Sequence, residues 1–179
     1  LIERDRGDEA LTSFQRIDDL LERMGTITRQ LKSYARKGGE AVEPVDLRAA
    51  VSSALTMMEP QLRGRTIRVT RNLPRRPVTV MADRIRLEQV IINLLRNALD
   101  AMGEAGVTPP RLGLSASAVG RFVRLDVDDA GPGLQGLGID QLTAPFYSTK
   151  REGMGMGLAI CRSVVEAHHG GMEAGSSPL

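Results

Sequence analysis

The chain has 179 residues, 41% of them hydrophobic, enough for one domain of ordinary size with a smaller appendage. Its 24 basic and 22 acidic side chains leave a net charge of +2, too balanced for a global field that would attract nucleic acid, and 3% aromatics leave few platforms on which bases could stack. A single cysteine, Cys161, excludes an intrachain disulfide and points to a reducing, cytoplasmic setting.

The longest strongly apolar run, Val90-Ile91-Ile92, is too short to cross a bilayer, and no signal peptide opens the chain. This stretch is therefore expected to be soluble and to make no membrane contact. Leu1-Ile2 reads as the tail of an earlier helix, compatible with a membrane-anchored parent. Arg63, Arg65, Arg68, Arg71, Arg75, Arg76, Arg84 and Arg86 crowd together. They read as a solvated surface, with a docking face for an acidic partner as the alternative.

From Glu9 to Lys37 there is no proline. Phe14, Ile17, Leu21, Met24, Thr28, Leu31 and Ala35 alternate in steps of three and four, a heptad seam. Leu20, Ile27 and Tyr34 widen it towards what a four-helix bundle needs. The expectation is a homodimer formed through this helix; packing on its own domain is the other reading. Gly38 to Pro44 breaks the pattern as a linker. The division expected is residues 1–43 for helix and linker and 44–179 for the main domain.

Asp46 suits the N-cap of a helix through Leu47, Val51, Leu55 and Met58 towards Leu62, with Gly64 as stop and Pro60 able to bend or end it early. Thr66 to Leu73 and Val78 to Met81 read as strands. Asp83 then caps a long helix that buries Leu87, Val90, Ile91, Leu94, Leu95, Ala98 and Met102. Asn93 and Asn97, four apart, share a face of it. Asparagine is a mediocre helix former, so the pair implies a polar pocket in which an amide oxygen could coordinate Mg²⁺, or else interhelical hydrogen bonds or exposure. Arg111 to Val119 and Phe122 to Asp128 read as a hairpin turning at Gly120-Arg121. This order of elements predicts an α+β fold, a two-layer sandwich in which helices cover one face of a mixed sheet.

Asp129 stands where the second hairpin strand should run out, placed to accept a hydrogen bond from an exocyclic amine of adenine. Gly131 and Gly133 permit a tight turn and a close-lying ring, although an acid followed by such glycines can also be a plain turn. Gly153, Gly155 and Gly157 precede a helix from Leu158 to Ala167, so their amides and the helix dipole make an anion site, with Lys150 as added charge. Neither a Walker loop nor a dinucleotide fingerprint fits. The long polar stretch from Gly133 to Gly153 reads as a lid over bound nucleotide. Cys161 is expected to be a buried small side chain, His168-His169 a solvated helix end, and Met172 to Ala174 the start of a last strand.

Taken together, Asn93 to Ala98, Asp129 to Gly133, Phe146 to Lys150 and Gly153 to Leu158 resemble the N, G1, F and G2 boxes of the ATP-binding catalytic domain of bacterial sensor histidine kinases. That domain is shared more widely with DNA gyrase B and mismatch-repair ATPases. The helix at 9–37 looks like the second helix of the dimerisation and phosphotransfer hairpin, and the F and G2 boxes are most similar to those of C4-dicarboxylate and oxygen sensors. The resemblance implies an ATP-dependent protein-histidine kinase that uses ATP and Mg²⁺, dimerises, and passes its phosphoryl group to a receiver-domain aspartate of a response regulator. Asn97 would bind Mg²⁺ with Asn93 in support. Asp129, Gly131 and Gly133 would form the adenine pocket. Thr149 and Lys150, with the amides of Gly153, Gly155, Met156, Gly157 and Leu158, would hold the phosphates. Asp100 stands where other members often carry a basic residue. The phosphoacceptor histidine belongs on the first hairpin helix, and neither histidine here has that place, so no catalytic residue is assigned within this stretch. The family's closing strand is also expected beyond Leu179. Where gyrase-type members have a glutamate that activates water, Asn93 cannot serve as base, which implies slow hydrolysis and transfer to a histidine instead. The rival readings are a conformational ATPase on the same fold and a module that dimerises without using nucleotide.

Overall fold

The structure, a computed structural model, describes residues 42–150, 154–177 and 179. The dimerisation helix expected over 9–37, and Gly153 of the glycine-rich turn, lie outside the described residues.

Strand β1 (Glu43–Asp46) leads directly into helix α1 (Leu47–Gly64). The Asp46 carboxylate is the hinge of that junction: it accepts a bond from the Arg48 N–H at 3.1 Å and satisfies one of the free amides of the first turn. The Arg48 guanidinium also grips it at 2.8 Å and holds its pKa down to about 2. Leu47, Ala50, Val51, Ala54, Leu55, Met58 and Leu62, spaced by three and four, make the buried stripe of α1. Pro60 does not end the helix, which continues to Gly64. It sits in the last turn on the exposed side, where water can satisfy the carbonyl that a proline leaves unpaired.

Strands β2 (Arg68–Asn72) and β3 (Thr79–Ala82) follow, then helix α2 (Arg84–Glu104), capped by Asp83, whose Oδ1 accepts from the Arg86 N–H at 3.1 Å. Strands β4 (Arg111–Val119) and β5 (Phe122–Asp129) form the expected hairpin, with Gly120 at φ +60° in its turn. β2 pairs parallel with β4, and β4 antiparallel with β5, so the three-stranded sheet is mixed. Leu112, Leu114 and Ala116 alternate from β4 into a core shared with α1 and α2, against which Val69 of β2 and Val123, Leu125 and Val127 of β5 pack. Helices on one face of a mixed sheet is the fold that the order of elements predicted.

Three readings need correction. The linker was expected to run through Pro44, but Glu43–Asp46 is a strand paired antiparallel with β3, with Pro44 opposite Met81. Four residues with a proline and only Val45 buried give no alternation to read. No strand begins at Met172: residues 171–177 carry no regular structure, and β5 has β4 as its only partner among the described residues. His168 is not a solvated end, since its Nε2 accepts the Asp83 N–H at 2.9 Å while Nδ1 lies 2.7 Å from the Val164 carbonyl. It therefore ties the last helix, α4 (Gly157–Ala167), to the N-cap of α2.

Candidate nucleotide-binding site

Helix α2 is the floor of the site. Asn93, Asn97 and Ala101 fall at successive steps of four, so they line one stripe that rises about 1.5 Å per residue. Each meets a different part of the chain's C-terminal third. At one end, a Cβ on Gly131 would lie 3.4 Å from the Ala101 Cβ. In the middle, the Lys150 ammonium donates to Asn97 Oδ1 at 3.2 Å and to Asp100 Oδ2 at 2.9 Å. At the other end, Asn93 is buried, and its amide is a polar neighbour of the Cys161 thiol on α4. The Asp129 turn, Lys150 and α4 are thus set along a single face of α2.

Asp129 ends β5, and its Oδ1 accepts the Gly131 N–H at 2.8 Å. A side chain at Gly131 would put Cβ 2.5 Å from that same oxygen, so the glycine makes room for the carboxylate itself. Gly133 has φ +72° in open space and serves the turn.

The glycine-rich turn is built against the preceding loop. Gly155 has φ +65°, and a Cβ there would run into the backbone of Tyr147 and lie 2.5 Å from the Phe146 carbonyl carbon. Only glycine fits. Phe146 itself has φ +65° and is 78% exposed. Thr149 is exposed and Lys150 half-buried, the latter's N–H bonded to Ser148 Oγ at 3.1 Å. Met156 is the N-cap of α4 and makes no side-chain cap bond, and the first turn carries no acid. By contrast, α1 and α2 are each capped by an aspartate.

Asn93 is more enclosed than the sequence suggested. It is 4% exposed, its Oδ1 accepts from Gln89 Nε2 at 3.1 Å, and its Nδ2 has no hydrogen-bond partner among the described residues. A buried unpaired amide costs about 1–3 kcal/mol. Cys161 is fully buried, and burial pushes its thiol up to about 11.

The family model described as histidine kinase-, DNA gyrase B- and HSP90-like ATPase matches residues 82–178, more than half of the chain. The chain belongs to this ATPase family. Its relatives are sensor kinases. It is 37% identical over 178 residues to the C4-dicarboxylate transport sensor protein DctB of Pseudomonas aeruginosa, and 36% over 163 residues to DctS of Rhodobacter capsulatus. These alignments cover 98% and 91% of this chain but 29% and 25% of those proteins, so the chain spans less than a third of either relative. Among solved structures, the catalytic domain of histidine kinase ThkA in a nucleotide-free form superposes with a TM-score of 0.64 at 29% identity, covering 73% of this chain and 82% of that one. ThkA in complex with the response regulator TrrA superposes at 0.70 and 26% identity, covering 86% and 43%.

One feature beside the candidate site escaped the sequence reading. Arg162 on α4 donates to Asp140 Oδ1 at 2.8 Å and Thr143 Oγ1 at 2.9 Å, fastening the short helix α3 (Ile139–Leu142) of the expected lid to α4. A lone arginine on a helix carries no signal of such a role. Asp100, noted in the sequence only as a departure where others carry a basic residue, faces Lys150, and Arg65 Nη1 lies 3.9 Å away on its far oxygen. Among the described residues no helix is long and apolar enough to cross a membrane, and no cluster of three His, Cys, Asp or Glu side chains could hold a metal.

Proposed function

We propose that this domain binds ATP with Mg²⁺ and, as the catalytic part of a sensor histidine kinase, directs the γ-phosphoryl group to a histidine on a dimerisation hairpin and thence to a response-regulator aspartate. The observation that carries the reading is the α2 stripe, which brings the Asp129 turn, the Lys150 ammonium and α4 to one face. Asp129, with Gly131 and Gly133, reads adenine: a carboxylate accepts from an amine that guanine lacks at that position. Thr149, Lys150 and the amides of Gly153, Gly155, Met156, Gly157 and Leu158 hold the phosphate tail.

Asn97 is the metal ligand, supported by Asn93. The donor suits a hard cation: an amide oxygen that already holds a lysine ammonium. Bound there, Mg²⁺ would neutralise charge on the phosphates. The chain's own contribution is positioning and charge, which is most of what phosphoryl transfer asks of a protein. Asn93 offers no base for water, in keeping with transfer to a protein histidine over rapid hydrolysis.

The relatives DctB and DctS are by name C4-dicarboxylate sensors, and ThkA was solved with a response regulator. By that likeness the whole protein is a homodimer joined through the helix at 9–37, its partner a receiver domain, with this part in the cytoplasm. The test mixes the full chain with a separate histidine-bearing hairpin and labelled ATP. Acid-labile, base-stable label on the hairpin is the expected result. High steady-state hydrolysis with no transfer would favour a conformational ATPase, and no rise in melting temperature with saturating Mg²⁺-ATP would remove nucleotide use altogether.

A further inference from the structure

The nucleotide reading leaves Asp100 without a task, yet Asp100 is the most heavily engaged carboxylate on the α2 face. Its Oδ2 takes the Lys150 ammonium at 2.9 Å and its Oδ1 lies 3.9 Å from Arg65 Nη1. The same Arg65 nitrogen donates to the Leu99 carbonyl at 2.8 Å, so this second cation is anchored by the backbone of α2 itself. Lys150 and Asp100 are 24% and 33% exposed, so the pair is screened by water only in part.

An ammonium has three donors. Two are spent on Asn97 Oδ1 and Asp100 Oδ2, which leaves one free. We infer that Asp100 is the positioning residue for Lys150: it pivots the ammonium against the Asn97 amide oxygen, where the ammonium stands in for the divalent ion in the nucleotide-free domain and competes with it. The inference rests on the nucleotide reading of the site for its second half alone. When metal and nucleotide bind, the ammonium gives up Asn97 Oδ1, retains Asp100 Oδ2, and turns its remaining donors to the phosphates. Arg65 makes this exchange feasible, because Asp100 keeps a counter-charge on its other oxygen throughout. A lysine that arrives on the loop before α4 is thereby placed against the helix without a search.

The physical alternative is that Asp100 attracts the metal directly, and the two have opposite signs. If Asp100 holds a competitor in place, Asp100→Asn lets the ammonium leave Asn97 and lowers the Mg²⁺ concentration that half-saturates nucleotide binding. The expected drop is about three- to fivefold, the weight of a partly exposed ion pair. If Asp100 helps to bind the metal, the same change raises that concentration.

The experiment uses the full chain labelled with ¹⁵N on lysine side chains. Without nucleotide, a slowly exchanging Lys150 Nζ resonance is expected, assigned by its loss in Lys150→Arg. It should vanish in Asp100→Asn, return in Asp100→Glu, and shift but persist when Mg²⁺ and a non-hydrolysable ATP analogue are added to wild type. Unchanged backbone amide shifts in Asp100→Asn establish that the fold is intact. A resonance that survives Asp100→Asn, or a Mg²⁺ midpoint that stays put or rises, overturns the inference. Should the analogue fail to bind wild type at all, the proposed function falls, while the nucleotide-free resonance still decides whether Asp100 places Lys150.

Discussion

Consider a single methyl group added at position 131. Its Cβ would sit 2.5 Å from Asp129 Oδ1, well inside the distance at which a carbon and an oxygen can rest, and 3.4 Å from the Ala101 Cβ, an ordinary contact. Gly131 is not among the residues with positive φ, so alanine carries no backbone strain there. The whole perturbation therefore falls on the Asp129 carboxylate, which must swing away and lose its 2.8 Å bond from the Gly131 N–H. A hydrogen bond to a charged group contributes about 1.5–3 kcal/mol. If that bond is what aims the carboxylate at adenine, Gly131→Ala weakens Mg²⁺-ATP binding by roughly 10- to 100-fold. Global stability should fall by no more than about the 1.5–3 kcal/mol of that one bond, since no core contact is touched. A fluorescent ATP analogue titrated by polarisation, alongside a thermal melt, measures both. An affinity within twofold of wild type would refute the claim that Gly131 exists to seat Asp129, and a collapse in melting temperature would show that the turn serves the fold instead.

His168→Ala removes the acceptor for the Asp83 N–H and should lower stability by about 1–2 kcal/mol in denaturant melts, while leaving nucleotide affinity of the folded protein unchanged. Cys161, buried with its thiol raised to about 11, should resist a disulfide reagent at pH 8 in the native state and react only on unfolding. Asp46, held near 2 against an ordinary 3.8, stabilises the fold above the higher value, and that contribution is lost as pH falls through the lower one. Asp46→Asn should therefore flatten acid unfolding in that window while keeping a side-chain oxygen as cap, as circular dichroism against pH can show.

The parts of the fold written in long periodic runs were legible. The stripe from Leu47 to Leu62, the one from Val90 to Met102 and the alternation of Val123, Leu125 and Val127 each turn one face to the core, and periodicity of that kind has few other meanings. The two aspartate caps were equally plain, because a carboxylate just before an apolar stripe has an obvious amide to bind. What stayed hidden was decided by partners distant in sequence. β1 exists because β3 lies beside it, and nothing in Glu43-Pro44-Val45-Asp46 announces that. His168 is held by Asp83, 85 residues away, and the reading of a doublet before two glycines as a solvated end had no access to that bond. Within the site, the residue types and their order along the chain were readable from chemistry. Burial was not: Asn93 and Asn97 look equivalent in sequence, but one is sealed under α4 and the other faces a lysine.

Two calorimetric titrations, Mg²⁺-ATP and Mg²⁺-GTP, into wild type, Asn97→Ala and Asp129→Asn probe whether base and phosphates are gripped at separate points along α2. Wild type should prefer ATP. Asp129→Asn should erase that preference while keeping the dependence on Mg²⁺, and Asn97→Ala should erase the Mg²⁺ dependence while keeping whatever preference for adenine survives. If both variants bind Mg²⁺-ATP as wild type does, the two side chains do not share a ligand and the site lies elsewhere.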